Sequence, residues 1–302
     1  MLQAVLSNHT AIATRSEPWL QLLQAPFINP DLMRAPFDWK IAVDAANEVE
    51  PEGRCLKDVQ SALRSAIDQF YEQSTEQSHA DYFLDKTPRY YYMLNELYTM
   101  YPDALFLVLL RHPASVFASI YKTWLCEKPE SALYDYAGDL IDAPRLMRDF
   151  ITVNGDSKRV LTVEYEELTQ NPNAAFADIF SWLGLDFSED MLSYGDNSSY
   201  IGKYGDPVGV QRGKVVARQP IKGKKYSDII PDRRLANLAS GLTDYCKDQG
   251  YPCPGGDEWQ GSKPTKEFKR FLRMHQLRNK KQFSLRDGVH LILDNVSERL
   301  GL

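Results

Sequence analysis

The sequence predicts an α/β fold: a mainly parallel sheet flanked by helices, with a helical C-terminal extension. Two observations carry this prediction. Short apolar segments with strand character alternate along the chain with segments of helical spacing, as in βαβ units. The clearest case is the uninterrupted apolar run Leu105–Leu110, which leads through Arg111 and His112 into a helical segment that begins at Pro113.

The first part of the chain predicts three helices and one strand. Residues 1–8 have the character of a helix with no strand before it. Ser16 offers an N-cap, and Pro18 a first-turn proline, for a second helix. Residues 59–71 place apolar side chains three and four positions apart, which predicts an amphipathic helix. Residues 82–88 combine a short buried strand with a turn.

The middle of the chain continues this alternation. Tyr101 and Pro102 end a helix, because the residue before a proline disfavours helical backbone. Pro172 near the start and Gly184 near the end are typical of the two ends of another helix. The predicted elements are a helix ending near Met100, the strand 105–110 with its helix, a helix over 134–153, a strand and turn over 159–168, and a helix over 171–185.

A segment rich in Pro and Gly, residues 250–256, divides the chain. We predict an α/β domain over residues 1–250 and a helical C-terminal extension over residues 251–302. The extension holds two helices, of which the first is strongly basic. This basic helix is either a solvated face, which is the simpler interpretation, or a clamp on the main domain or on a partner.

Composition limits the classes of function. The 302 residues are 43% hydrophobic and 25% charged, which is typical of a soluble globular protein. The net charge of -6 argues against nucleic-acid binding, although a local basic patch is compatible with a small anion. No apolar run reaches membrane-spanning length and no signal-type sequence follows Met1, so we expect a cytoplasmic protein without a membrane segment. The oligomeric state is left open.

The sequence lacks the usual patterns of a metal site. None of the cysteines form a CxxC pair, and the histidines His9, His79 and His112 are far apart in the chain. We therefore expect no metal. Cys246 and Cys253 are close enough in sequence to pair, but reduced buried thiols are the simpler interpretation for a cytosolic chain.

Arg111 marks a candidate anion site. In an open parallel sheet, ligands bind at the carboxyl ends of strands, beside helix N-termini. Arg111 follows such a strand, and the helix after Pro113 supplies free N–H groups and the positive end of its dipole. Ser119 adds a hydroxyl from the same helix, and this set of donors suits a phosphate. The alternative is that Arg111 only caps the strand and Ser119 is an ordinary helix residue.

A second candidate lies in the irregular segment 186–232, which is rich in Gly, Ser, Asp and Lys. Long irregular segments inside compact domains are usually functional or disordered. Arg212 and Lys214 begin a concentration of cations that extends to Lys225. We expect these cations to bind a cofactor by closing over a phosphate.

Four segments, in this order, resemble sulfotransferases that use 3'-phosphoadenosine 5'-phosphosulfate (PAPS), above all the tyrosylprotein-sulfotransferase-like and bacterial members. They are "RSEPWL" (15–20), "LDKTPRY" (84–90), "LLRHPASVFAS" (109–119) and "VEYEELTQNP" (163–172). In that family an arginine ends a strand and a serine follows eight residues later, as Arg111 and Ser119 do here. The resemblance covers residues 1–235 and implies a P-loop-NTPase-like parallel sheet.

The resemblance also implies a role for each candidate residue. Glu17 matches the family's catalytic glutamate and would be the general base, while Lys86 would stabilise the bridging oxygen of the leaving group. Arg111 and Ser119 would bind the 3'-phosphate, and Tyr165 would contact the nucleotide. Simpler interpretations remain for three of them. Glu17 would be an acidic residue in the first turn of a helix, Lys86 a solvated lysine in a turn, and Tyr165 a tyrosine of the core.

The implied reaction moves a sulfuryl group from PAPS to an acceptor hydroxyl or amine without a metal. We expect a small-molecule or glycan acceptor, since Trp19, Phe27, Phe37 and Trp39 offer aromatic surface. The alternative is a non-catalytic relative that binds a nucleotide or a partner. The sequence has no Walker lysine motif, which argues against a kinase-like P-loop enzyme.

The family's 5'-phosphosulfate loop, a "PRSGTTLL"-like segment after a strand, has no counterpart in the sequence. Residues 1–5 correspond to the helix just beyond that loop. Either the chain is a shortened homologue or its start has been trimmed. A chain that lacks the loop is expected to bind the desulfated nucleotide nearly as well as PAPS and to transfer little sulfate.

Overall fold

The structure is a computed structural model, and it describes residues 1–15, 17–25, 54–194, 214–215, 230, 232–252, 254 and 264–279. Short strands alternate with helices, which confirms the predicted α/β class. The described strands are β1 (Ile12–Thr14), β2 (Tyr82–Leu84), β3 (Phe106–Leu110) and β4 (Val160–Glu164). The described α-helices are α1 (Leu2–Leu6), α2 (Arg54–Ser78), α3 (Leu94–Met100), α4 (Pro113–Ile120), α5 (Ala143–Asn154), α6 (Tyr165–Gln170), α7 (Pro172–Leu183), α8 (Arg233–Asp248) and α9 (Lys266–Asn279).

Tighter and wider helical turns join several of these elements. The 3₁₀ turns are Leu20–Gln24, Pro88–Met93, Glu130–Tyr136 and Glu189–Leu192, and the π-helical turns are Tyr121–Leu125 and Gly138–Asp142. The first π turn continues α4, and the second leads into α5. The helix predicted over 134–153 is therefore a regular α-helix only from Ala143. Pro144, which has no N–H to donate, lies in its first turn.

The strands form two short sheets among the described residues. β1 pairs with β2 in parallel, with Ile12 opposite Tyr82 and Thr14 opposite Leu84. β3 pairs with β4. β2, β3 and β4 confirm strands that the sequence predicted, whereas β1 was not predicted.

The second predicted helix is wrong in type. The chain turns at Trp19, whose φ of +58° is left-handed, and only a short 3₁₀ turn follows at Leu20–Gln24. A residue in that conformation cannot continue an α-helix, so the regular first turn proposed around Pro18 does not form. Ser16, the proposed N-cap, lies outside the described residues.

The chain divides into two compact units, each formed from two stretches of the sequence. The first comprises Met1–Leu109 and Phe150–Gln219, and the second comprises Leu110–Asp149 and Pro220–Leu302. The division at residues 250 and 251 stays a prediction.

In the first unit, the core lies beneath α1, α6 and α7. Its most deeply buried side chains are those of Val5, Leu168, Phe176 and Phe180, each 0% exposed. Burial of such side chains contributes about 1.5–3 kcal/mol each. This core holds α1 in place, and α1 leads directly into β1.

In the second unit, α8 packs against α4 and α9. The sequence analysis did not predict α8, but it did predict a basic helix where α9 lies. Phe268 and Phe271 of α9 are 1% and 2% exposed, whereas Lys269 and Arg273 are exposed. The basic residues therefore form the outer face of an amphipathic helix whose apolar face packs within this unit. The second predicted helix of the extension lies outside the described residues.

Gly241 sets how closely α8 and α9 approach. A Cβ at this position would lie 2.5 Å from the Cβ of Phe268, closer than side chains pack. The absence of a side chain at Gly241 therefore allows Phe268 to reach the core.

Gly241→Ala should lower the free energy of unfolding by about 1–3 kcal/mol, the usual cost of overpacking. The sign of the change is decisive, because alanine in a helix interior is otherwise more stable than glycine by about 1 kcal/mol. Urea unfolding followed by circular dichroism measures this difference. A more stable variant would show that α9 does not pack against α8 as the structure has it.

His112 is the N-cap of α4. Its Nδ1 accepts a hydrogen bond from the backbone N–H of Ala114 at 3.2 Å, so this nitrogen carries no proton. Burial, together with the nearby charge of Arg111, lowers the pKa of His112 to about 4. The folded protein therefore keeps His112 neutral at pH values where the unfolded chain protonates it.

His112 should destabilise the protein as the pH falls from about 6.5 to about 4. In this window the unfolded chain binds a proton that the folded state excludes. The free energy of unfolding therefore falls by about 3 kcal/mol between neutral pH and pH values below 4. His112→Asn keeps an acceptor for the cap but does not titrate. Urea unfolding at pH 7 and pH 4 should show a smaller acid loss in this variant than in the wild type. His79→Asn, at an exposed histidine, is the matched control; equal acid losses in all three proteins would contradict the assignment.

Candidate active site

The carboxyl ends of β1 and β2 carry the two residues predicted to be catalytic. Because the strands are parallel and Thr14 lies opposite Leu84, the segments that follow β1 and β2 leave the sheet at the same end, where both strands have their carboxyl ends. Glu17 follows β1 and Lys86 follows β2. The register alone therefore brings these two segments together.

Glu17 and Lys86 form an ion pair. Lys86 Nζ donates a hydrogen bond to Glu17 Oε1, with the Glu17 side chain 11% exposed and that of Lys86 36% exposed. The carboxylate is thus largely enclosed, while the ammonium group reaches solvent. The structure brings together the two residues for which the sequence predicted general-base and leaving-group roles.

The backbone around Glu17 is strained. Glu17 has a φ of +29° and Trp19 a φ of +58°, both in the left-handed region that favours glycine. For residues with a side chain this conformation costs about 1–2 kcal/mol each. Such residues persist only where the surrounding contacts hold them.

Gln3 fixes the end of β1. Its buried Nε2 donates to Thr14 Oγ1 and to the carbonyl of Arg15, each at 2.8 Å. Thr14 Oγ1 in turn donates to the carbonyl of Leu84 at 2.6 Å. These hydrogen bonds connect α1 to the carboxyl ends of β1 and β2.

Asp85, next to Lys86, accepts three hydroxyl donors. Tyr71 and Tyr90 donate to its Oδ2 at 2.5 and 2.7 Å, and Thr87 donates to its Oδ1 at 3.3 Å. Burial raises the pKa of Asp85, while these hydrogen bonds act to lower it. Burial and the negative charge of Asp85 raise the pKa of both tyrosines, so the hydroxyls keep their protons.

The same hydroxyls accept from the segment that carries Glu17. Thr87 Oγ1 accepts from the backbone N–H of Trp19 at 3.1 Å, and Tyr90 Oη accepts from that of Gln21 at 3.2 Å. The sequence analysis missed Asp85, Tyr71 and Tyr90. The only local signal was a carboxylate directly after the apolar strand β2.

Arg111 and Ser119 lie in the second unit, at the junction of β3 and α4. Arg111 follows the strand, and Tyr251 donates a hydrogen bond to its carbonyl at 3.4 Å. Ser119 is partly exposed on α4, beyond the N-cap at His112. Arg111 thus precedes the helix and Ser119 lies near its end. A common anion site for these two residues stays a prediction.

The remaining predicted cofactor-binding residues lie in other places. Tyr165 is partly buried and begins α6 directly after β4. The Lys214 side chain is exposed, and its carbonyl accepts a hydrogen bond from Tyr194 at 2.9 Å. Arg212 lies outside the described residues.

The described residues offer neither a metal-binding cluster nor a membrane-spanning helix. No cluster of three or more His, Cys, Asp or Glu side chains in the described part of the chain is arranged to hold a metal ion. None of the described helices combines the length and apolar character needed to cross a bilayer.

Comparison with known proteins gives a curated relative and similar solved structures. The curated relative is Nodulation protein NoeE of Sinorhizobium fredii (strain NBRC 101917 / NGR234), 27% identical over 228 residues, which are 68% of this chain and 52% of NoeE. The chain therefore spans about half the length of this relative.

Two solved structures are similar at lower identity. The Sulfotransferase Domain from the Curacin Biosynthetic Pathway is 17% identical with a TM-score of 0.45, over 91% of this chain and 92% of that domain. The Sulfotransferase Domain from the Synechococcus PCC 7002 Olefin Synthase is 18% identical with a TM-score of 0.43, over 80% of this chain and 95% of that domain. The sequence profile of the Sulfotransferase family matches residues 1–189, more than half of the chain, and the chain belongs to that family.

Proposed function

We propose that this protein transfers a sulfuryl group from PAPS to the hydroxyl or amine of a small-molecule or glycan acceptor. The observation that carries the proposal is the Glu17–Lys86 ion pair at the carboxyl ends of β1 and β2. The pair supplies a base and a cation side by side, which are the two groups that in-line transfer to a hydroxyl requires.

Glu17 acts as the general base. It takes the proton of the acceptor hydroxyl while the acceptor oxygen bonds to sulfur and the bond from sulfur to the bridging phosphate oxygen breaks. Lys86 stabilises the negative charge that develops on that bridging oxygen. The partial exposure of Lys86 supports this role, because an ammonium group at the surface of the site is accessible to a ligand.

The chemistry of the donors at β3 and α4 fits an anionic nucleotide. Arg111, which precedes α4, and Ser119, which lies near the end of α4, would hold the 3'-phosphate through charge-assisted hydrogen bonds. Tyr165, Lys214 and Arg212 would contact the rest of the nucleotide. When bound, PAPS supplies the activated sulfuryl group, and no metal takes part in the proposal.

Trp19, two residues after Glu17, carries a buried hydrogen-bond donor. Its indole Nε1 is buried and has no hydrogen-bond partner among the described residues. A buried donor left without a partner costs about 1–3 kcal/mol. The cytoplasmic location stays a prediction from the sequence.

Glu17→Gln should lower kcat by about 10²–10⁴-fold, the usual contribution of general acid–base catalysis. Binding of adenosine 3',5'-bisphosphate should stay unchanged, since the glutamine keeps the size and one oxygen of the glutamate. Sulfuryl transfer in the full-length natural protein, followed with labelled sulfate, measures the loss. Glu72→Gln, at an exposed position on α2, is the matched control. If Glu17→Gln turned over like Glu72→Gln, the base role would be wrong.

Arg111→Ala should weaken adenosine 3',5'-bisphosphate by about 1.5–3 kcal/mol, the scale of a hydrogen bond to a charged group. Adenosine 5'-monophosphate should bind almost as before, because it has no 3'-phosphate for Arg111 to hold. Calorimetric titration gives both affinities. Arg145→Ala removes a partly exposed arginine of the same unit and serves as the control. An equal loss for the two nucleotides would show that Arg111 does not bind the 3'-phosphate.

A further inference from the structure

A buried hydrogen-bond network joins the two segments that carry Glu17 and Lys86. One segment, 85–90, supplies Asp85 and two hydroxyls, and the other, 17–21, supplies three N–H donors. A third hydroxyl comes from α2. The members are Trp19, Gln21, Tyr71, Asp85, Thr87 and Tyr90.

Asp85 sets the direction of every hydrogen bond in this network. The three hydroxyls, those of Tyr71, Thr87 and Tyr90, each donate their single proton to Asp85. Each hydroxyl oxygen is then left as an acceptor, and it meets a donor from the segment 17–21. Those donors are the backbone N–H of Trp19, the backbone N–H of Gln21 and Gln21 Nε2, at 3.1, 3.2 and 3.1 Å.

Thr87 makes the connection nearest to Glu17. It is 7% exposed, donates to Asp85 Oδ1 and accepts from the N–H of Trp19. Trp19 lies two residues from Glu17, and both have left-handed φ angles. The hydroxyl of Thr87 therefore restrains the strained backbone from which the Glu17 carboxylate reaches Lys86.

We propose that Asp85 and Thr87 are positioning residues, which hold the Glu17 carboxylate against the Lys86 ammonium group. They touch neither substrate nor reacting atoms; they act through the backbone of Trp19 and Gln21. The proposal gives these residues a part in the function proposed above and rests on it for its catalytic meaning. The hydrogen-bond geometry itself is independent of that function.

Thr87→Val tests the proposal, because valine keeps the shape of threonine and removes only the hydroxyl. Thr87→Ser should rescue it by restoring the hydroxyl. Thr99→Val is the matched control: Thr99 is exposed and donates only to the carbonyl of Asn95 in its own helix. Tyr90→Phe removes a different hydroxyl of the same network and keeps a second test available if Thr87→Val fails to fold.

The first measurement is amine labelling of Lys86, read by mass spectrometry against exposed Lys158 in the same chain. Loss of one hydrogen bond should loosen the ion pair and raise Lys86 labelling by about 3–10-fold in Thr87→Val and Tyr90→Phe. Glu17→Gln sets the upper limit. Thr87→Ser and Thr99→Val should label like the wild type. Unchanged labelling of Lys86 in folded Thr87→Val or Tyr90→Phe would overturn the proposal.

The second measurement separates this proposal from the proposed function. Thr87→Val should lower kcat by about 10-fold or more without changing the KM for PAPS, because nucleotide binding does not depend on where Glu17 points. If KM rises while kcat is unchanged, the positioning role is wrong. If labelling of Lys86 rises as expected but the wild type transfers no sulfate, the proposed function fails and the structural link from Thr87 to the ion pair stands.

Discussion

The candidate active site depends on the parallel pairing of β1 with β2. Because Thr14 lies opposite Leu84, the residues that follow the two strands lie at the same end of the sheet, where Glu17 and Lys86 form their ion pair. In an antiparallel pair the same residues would leave at opposite ends. Gln3 secures this arrangement from α1, because it bonds to the last residue of β1 and to the carbonyl just beyond it. The three residue pairs of this short sheet therefore determine where the charges of Glu17 and Lys86 come together.

Features with a local cause could be predicted from the sequence. The apolar run 105–110 and the spacing over 59–71 each report burial within a single element, so β3 and α2 were found. Glu17 and Lys86 were proposed one at a time, each through a short motif that resembles a known family, and their catalytic roles stay predictions. Arg111 was identified because the end of an apolar strand before a helix is visible in any single stretch of sequence.

Features that depend on register or distant partners could not be predicted. Glu17 and Lys86 form an ion pair only because two strands align, and no pattern within either segment reports that alignment. Asp85 receives its donors from α2 and from the turn after β2, and burial of their hydroxyls is a property of the folded chain. The left-handed turn at Trp19 likewise overrides the local signals for an α-helix at Pro18.

That left-handed turn places this protein in a trade-off between stability and activity. Glycine at Glu17 or Trp19 would relax the backbone, but it would also delete a side chain of the proposed site. Selection for greater thermal stability alone would therefore favour replacements at these two positions that abolish the proposed function. A stabilised version of this protein has to gain its stability elsewhere, in the cores of the two units, and leave this turn as it is.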